Sequence, residues 1–131
     1  MRVLVDTSVW SLALRKRGPA DHPSVAKLTA MIGLDDLAIT GSILQEVLQT
    51  YRDEETFSAL ARYLLPYPLL ALDRETCTEA ARLHRRCAAR GIAAKTIDCQ
   101  IAAAALRHDH KLLSADADFE QIARVSELQL L

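Results

Sequence analysis

A chain of 131 residues, half of them hydrophobic, has the usual length of one domain and enough apolar surface for one real core. Sixteen lysines and arginines nearly balance seventeen acids, which excludes a bulk polycation that grips nucleic acid by charge alone but leaves room for a local basic strip. Three cysteines, Cys77, Cys87 and Cys99, with no CxxC pair, point to neither a disulfide framework nor a zinc site. Cys77 and Cys99 are expected as small core hydrophobes in a reducing cytosol. The N-terminal apolar stretch is too short for a signal peptide and Asp6 interrupts it, and no run reaches transmembrane length. A cytoplasmic protein away from the membrane is the expectation.

Residues 2–5 (Arg-Val-Leu-Val) read as a first strand that delivers Asp6-Thr7-Ser8 to a turn. Val9 to Arg15 reads as a short helix, broken by Gly18-Pro19. After Asp21-His22-Pro23 a second helix carries Val25, Leu28 and Ile32 at helical spacing. Residues 37–40 form a short apolar strand, and Thr40-Gly41-Ser42 opens a helix in which Ser42 and Gln45 fit a capping box. Asp53 to Leu65 is helical and stopped by Pro66 and Pro68, residues 69–72 form a third strand, and Asp73 begins a long helix that stops at Gly91. Thr96 is expected to cap a helix over residues 97–107, followed by a strand over 111–114. Asp118, with Gln121 three residues on, is expected to cap a short helix, and residues 125–131 hold a closing strand.

Short apolar strands alternating with helices predict an α/β fold, a three-layer α/β/α sandwich around a central, mostly parallel sheet, with residues 1–131 as a single domain. In such sheets ligands bind beyond the carboxyl ends of the strands. Asp6 and Asp116 follow strands closely, while Glu46 and Asp98 stand in the first turns of helices, so all four are expected in one crevice. Carboxylates gathered without matching cations raise one another's pKa, and a hard divalent cation with oxygen ligands relieves that repulsion. Taken singly, each acid has an ordinary explanation: Asp98 favours the helix dipole, Glu46 is solvated, Asp116 is a turn residue and Asp118 is a cap. Convergence of four acids on one edge favours the functional reading.

Residues 5–10 (Val-Asp-Thr-Ser-Val-Trp), the stretch from Thr40 through Glu46-Val47, residues 96–102 (Thr-Ile-Asp-Cys-Gln-Ile-Ala) and residues 112–119 (Leu-Leu-Ser-Ala-Asp-Ala-Asp-Phe) resemble the PIN-domain family, in particular the VapC toxins of bacterial toxin–antitoxin pairs. The likeness spans almost the whole chain, and its first and last motifs are the specific ones. It implies a PIN-like fold and a metal-dependent endoribonuclease, with Mg²⁺ as cofactor and Mn²⁺ as a substitute. Asp6, Glu46, Asp98 and Asp116 fall on the family's acids, and Asp118 on a lesser contributor. Thr7, Ser8 and Ser114 are implied as supporting hydroxyls, with serine at 114 where threonine is frequent. The likeness further implies an RNA substrate, a VapB-type antitoxin that blocks the site with its C-terminal segment, a homodimer, and products carrying a 5′-phosphate and a 3′-hydroxyl.

An acidic crevice repels RNA, so phosphate contacts must come from basic residues. Arg15, Lys16, Arg17 and Lys95 are expected to line the path because they stand near the acidic edge in sequence. Arg82, Arg86 and Arg90, with Arg85 beside them, form a stripe on the long helix whose ordinary role is a solvated face. His108-Asp109-His110 falls at the far end of its helix, which argues against a histidine acid–base pair. Other folds with an aspartate after the first strand fit less well. A haloacid dehalogenase phosphatase needs a second aspartate where Ser8 stands, a response-regulator receiver needs an adjacent acidic pair, and a P-loop needs a GK[ST] sequence. The alternatives carried forward are a binding module without nuclease activity and an RNA-processing PIN nuclease with no antitoxin.

Overall fold

In the computed structural model, which describes residues 1–15 and 22–131, four parallel strands form one sheet in the order β3-β2-β1-β4. β1 (Arg2–Val5) lies between β2 (Asp36–Thr40) and β4 (Lys111–Leu113), and β3 (Leu69–Leu70) flanks β2. Val3, Leu4 and Val5 are fully buried, as a central strand covered on both faces requires. The register places Val3 beside Leu37 and Lys111, and the Asp6 amide continues the ladder to the Leu113 carbonyl at 2.9 Å. Asp6 is thereby fixed at the carboxyl end of the middle strand.

Among the described residues seven helices cover the sheet, completing the expected α/β/α sandwich: α1 (Thr7–Ala13), α2 (Pro23–Met31), α3 (Gly41–Leu48), α4 (Glu54–Leu64), α5 (Arg74–Ala89), α6 (Thr96–Arg107) and α7 (Asp118–Arg124). α1 packs on α2 and α3, and α3 on α4, while α5 packs on α6, and α6 on α7 and β4. α5 turns Thr76, Ala80, Leu83 and Cys87 inward at helical spacing. The run Ala102–Ala105 of α6 is wholly buried. α5 ends at Gly91, whose φ of +74° suits a residue without Cβ, and its amide and that of Ile92 close on the Ala88 and Cys87 carbonyls.

Several local expectations are corrected. α1 begins two residues early, at Thr7, because Asp6 caps it. Ser42 lies inside α3: the N-cap is Thr40, extended at φ −104°, ψ 167°, whose hydroxyl accepts from the Ile43 amide at 3.1 Å. Thr96 is the first residue of α6, and the N-cap is Lys95, with no side-chain bond to the helix. Asp118 is likewise the first residue of α7 rather than its cap, because the Asp116 carboxylate already accepts the Asp118 amide at 2.9 Å. β3 spans two residues instead of four. The closing strand reduces to one bridge, Leu112 with Leu130, held by amide bonds to the Gln129 and Leu112 carbonyls. Ile32 leaves the helical path, and Met31 takes the core place beside Leu28. Cys77 is exposed, while Cys87 and Cys99 are buried as free thiols. Burial raises the Cys99 pKa to about 11, with Cys87 and Asp98 adding to it, so this thiol stays protonated. Trp10 is core, donating its indole N–H to the Val5 carbonyl at 3.2 Å and packing tilted on Tyr67. Among the described residues no helix is long and apolar enough to cross a membrane.

Candidate active site

The carboxyl ends of β1 and β4 open onto a cavity of about 400 Å³ lined by Asp6, Thr7, Ser8, Glu46, Lys95, Thr96, Ile97, Asp98, Ile101 and Asp116. All four expected acids meet there. A larger cavity of about 760 Å³ sits against Met1, Arg2 and Lys111, at the opposite ends of the same strands, and mixes cations with Asp109 and Glu127 instead of gathering acids. Asp109, at the end of α6, belongs to this far edge, where His110 Nδ1 lies 2.7 Å from the His108 carbonyl. Among the described residues no histidine lines the acidic cavity.

Asp6 is buried and tightly held. Its Oδ2 accepts from the Ser8 amide at 3.3 Å, the Ser8 hydroxyl at 2.7 Å and the Ser114 hydroxyl at 2.9 Å. Each serine spends its one hydroxyl proton on Asp6 and uses its oxygen as an acceptor. Ser8 Oγ accepts the Ala115 amide at 2.9 Å, and Ser114 Oγ accepts the Asp116 amide at 3.0 Å. The two serines form a clasp between the turn after β1 and the turn after β4, and the clasp places Asp116 relative to Asp6. Asp6 Oδ1 takes none of these bonds and remains for the cavity. Ser114 thus acts through Asp6 and Asp116 without lining the cavity itself.

Asp98, in the first turn of α6, has a buried Oδ2 with no hydrogen-bond partner. Burial, then the negative charges of Asp116 and Asp6, push its pKa from 3.8 up to about 6, against a lowering by Lys95. Glu46, on α3, is also raised, by burial and then by Asp6. The Thr7 hydroxyl is a second buried oxygen without a partner. One oxygen each of Asp98, Asp116 and Asp118 lie within 4.8 Å of one another. Asp118 is exposed and joins the group from outside the cavity lining, its Oδ2 lying 3.7 Å from Lys95 Nζ.

These donors are all oxygens, two of them are orphaned, and the neighbouring negative charges raise the pKa of Asp98 and Glu46. Such a set fits a hard divalent cation. By geometry the converging group is Asp98, Asp116 and Asp118, while Asp6 and Glu46 line the same cavity as Asp98 and Asp116.

The expected basic path is brought only partly to the acids. Lys95 lines the cavity. Arg15 is exposed and lies along a different cavity, between α1, α3 and α4, with Ser11, Leu14, Tyr51 and Leu60. Lys16 and Arg17 lie outside the described residues. On α5, Arg82 pairs with Glu79, and Arg86 donates to the Val125 carbonyl at 3.2 Å. Ile97 and Ile101, which line the cavity with Thr96, were missed as site residues. Their one signal was position: Ile97 adjoins Asp98, and Ile101 falls one helical turn beyond it.

A parallel sheet with an acidic crevice at its carboxyl edge defines a class of fold and site, and comparison places the chain within it. The model of the PIN domain matches residues 3–125, and the chain belongs to that family. Among its relatives, "Ribonuclease VapC11" of Mycobacterium tuberculosis and "VapC ribonuclease Mb1587" of Mycobacterium bovis are each 33% identical over 129 residues, covering 97% of this chain and 96% of theirs. Solved structures of the same fold include VapBC2 from Rickettsia felis bound to a promoter DNA fragment, at TM-score 0.79 and 17% identity over 100% of this chain and 98% of that one. VapBC-1 from nontypeable Haemophilus influenzae superposes at TM-score 0.77 and 16% identity, covering 100% and 97%. FitAcB from Neisseria gonorrhoeae superposes at 0.75 and 19%, covering 98% and 96%.

Proposed function

We propose that this chain is a Mg²⁺-dependent endoribonuclease, with Mn²⁺ as a substitute, and the toxic member of a toxin–antitoxin pair. The observation that carries the reading is the meeting of Asp6, Glu46, Asp98 and Asp116 in one cavity at the carboxyl edge of the sheet. The similarity along 97% of the chain to proteins named VapC ribonucleases supports it.

Asp6, Asp98, Asp116 and Asp118 would hold the cation in this reading, with Glu46 as the flanking acid. A cation held there would supply charge relief at the phosphate and acidify a water for attack. The protein's own contribution is positional. The Ser8–Ser114 clasp fixes the oxygen that Asp6 presents. Glu46, which lines the same cavity and is raised by burial and by Asp6, would take a proton from the attacking water. Thr7 offers a free hydroxyl to the same space. Lys95 and the exposed Arg15, with Lys16 and Arg17, supply the phosphate contacts.

A VapB-type antitoxin, encoded beside the gene, covers the acidic cavity with its C-terminal segment. The chain works as a single unit that pairs into a homodimer in the cytoplasm. A nuclease-dead binding module is disfavoured because every acid position is filled and facing one space. The test is incubation of purified protein with total RNA in Mg²⁺, in Mn²⁺ and in chelator, with the product ends mapped. Cleavage is expected in both metals and absent in chelator, leaving 5′-phosphate and 3′-hydroxyl ends. Chelator-resistant cleavage, or 2′,3′-cyclic phosphate ends, contradicts the mechanism.

A further inference from the structure

Among the described residues that line the acidic cavity, Lys95 is the single cation, standing with four carboxylates. It is the N-cap of α6, so its backbone is fixed in extended conformation (φ −76°, ψ 148°) while its side chain makes no capping bond. The ammonium pairs with Asp118 at 3.7 Å, and both side chains are more than half exposed. Asp118 is in turn one of three carboxylates whose oxygens converge within 4.8 Å. One acid thus has two prospective positive partners, the lysine and a divalent ion.

We propose that Lys95 is an exchangeable counter-ion: it competes with the divalent cation for Asp118, and its release from Asp118 supplies an ammonium for a phosphate of the RNA. The inference rests on the nuclease reading and adds to it a coupling between the two ligands. A cation that takes up Asp118 frees Lys95, so metal occupancy improves the grip on phosphate, and by linkage RNA improves the grip on metal by the same factor. The exposed geometry sets the scale. A solvent-screened pair is weak, so either partner displaces the other readily. Lysine suits the exchange, since its ammonium is a point charge on a flexible stem with no fixed fork to satisfy. The buried, clasped Asp6 has no such freedom.

The test uses Lys95→Gln, which removes the charge without offering a good N-cap side chain, and Lys95→Arg, which keeps the charge. Calorimetry with Mn²⁺ alone near pH 8 reads the competition. Lys95→Gln is expected to bind Mn²⁺ about two- to fivefold more tightly than wild type, the scale of an exposed ion pair. Lys95→Arg stays near wild type. Binding of a single-stranded RNA oligonucleotide with cleavage-resistant linkages, in Mn²⁺ so that the ion occupies Asp118, reads the phosphate contact, with the same titration in chelator for comparison. There Lys95→Gln is expected to bind more weakly, with the slope of log affinity against log salt reduced by about 0.7, the share of one phosphate on a single strand. Opposite signs in the two measurements, with the loss in RNA binding larger in Mn²⁺ than in chelator, mark an exchange, because a lysine acting by its charge alone would weaken RNA binding equally in both. Unchanged Mn²⁺ affinity, or weaker binding of both ligands by Lys95→Gln, overturns the proposal while leaving the nuclease reading intact. Wild-type protein that takes up no Mn²⁺ overturns both.

Discussion

Asp98 carries the clearest electrostatic signature of the site. Its pKa is 3.8 in an ordinary setting and about 6 here, chiefly through burial and secondarily through Asp116 and Asp6. A carboxyl raised on folding contributes stability that is full below about pH 4 and is lost as pH rises through about 6. In chelator, the melting temperature is therefore expected to fall across that window, and Asp98→Asn to remove the step. A divalent cation is expected to raise the melting temperature more near pH 8 than near pH 5, because it must displace a proton at the lower pH. Differential scanning calorimetry at the two pH values reads both effects, and an Asp98→Asn protein less stable than wild type near pH 8 in chelator would contradict the account. Ser8 gives a second expectation. Ser8→Ala removes a hydroxyl that bonds Asp6 and the Ala115 amide together, so roughly 1–2 kcal/mol of stability is expected to go, read by urea unfolding. Cleavage should fall with it, and Ser8→Thr should restore part of both.

Glu46 depends on its helix. α3 starts where Thr40, fully buried, turns the end of β2 and caps the Ile43 amide. Thr40→Ala leaves that buried amide unpaired and is expected to cost about 1–2 kcal/mol in denaturant unfolding, with reduced cleavage because Glu46 loses its anchored first turn. A change below a few tenths of a kcal/mol would mean that packing of Ile43 and Val47 alone positions the helix. The helices and the strands β1, β2 and β4 were legible because apolar spacing and turn residues report them directly. Cap identity was less legible. Ser42, Thr96 and Asp118 each have the right side chain for a cap, yet the cap is decided by which residue leaves a strand or loop in extended conformation. At Asp118 the error had a functional consequence, since a capping aspartate would have its oxygens spent on helix amides, and this one instead faces Asp98 and Asp116. The final strand was overread because an apolar run reports burial and not the number of ladder bonds. Residues 125–131 bury Leu128 while pairing only at Leu130.

At the scale of the molecule, four acids separated by up to 110 positions in sequence meet at one edge: Asp6, Glu46 and Asp116 follow the parallel strands β1, β2 and β4, and Asp98 comes on α6, which follows α5 and not a strand. That convergence followed from the strand–helix alternation. The serine clasp did not, since a hydroxyl reports neither its donor direction nor its partner until both turns are in place, and the Arg15–Arg17 path remained a matter of sequence proximity alone. The central claim is that the edge gathers carboxylates for a cation that cleaves RNA. Asp6→Asn tests it most directly: asparagine caps a helix as well as aspartate, so the fold and the start of α1 survive while the charge and one prospective metal ligand are lost. Wild type and Asp6→Asn, matched for circular dichroism and melting behaviour, are compared for cleavage of total RNA in Mg²⁺ and in Mn²⁺. At least a hundredfold loss of cleavage by the folded variant is the predicted result, on the scale of about 3 kcal/mol of lost transition-state stabilisation. A folded Asp6→Asn protein that cuts as fast as wild type would contradict the account.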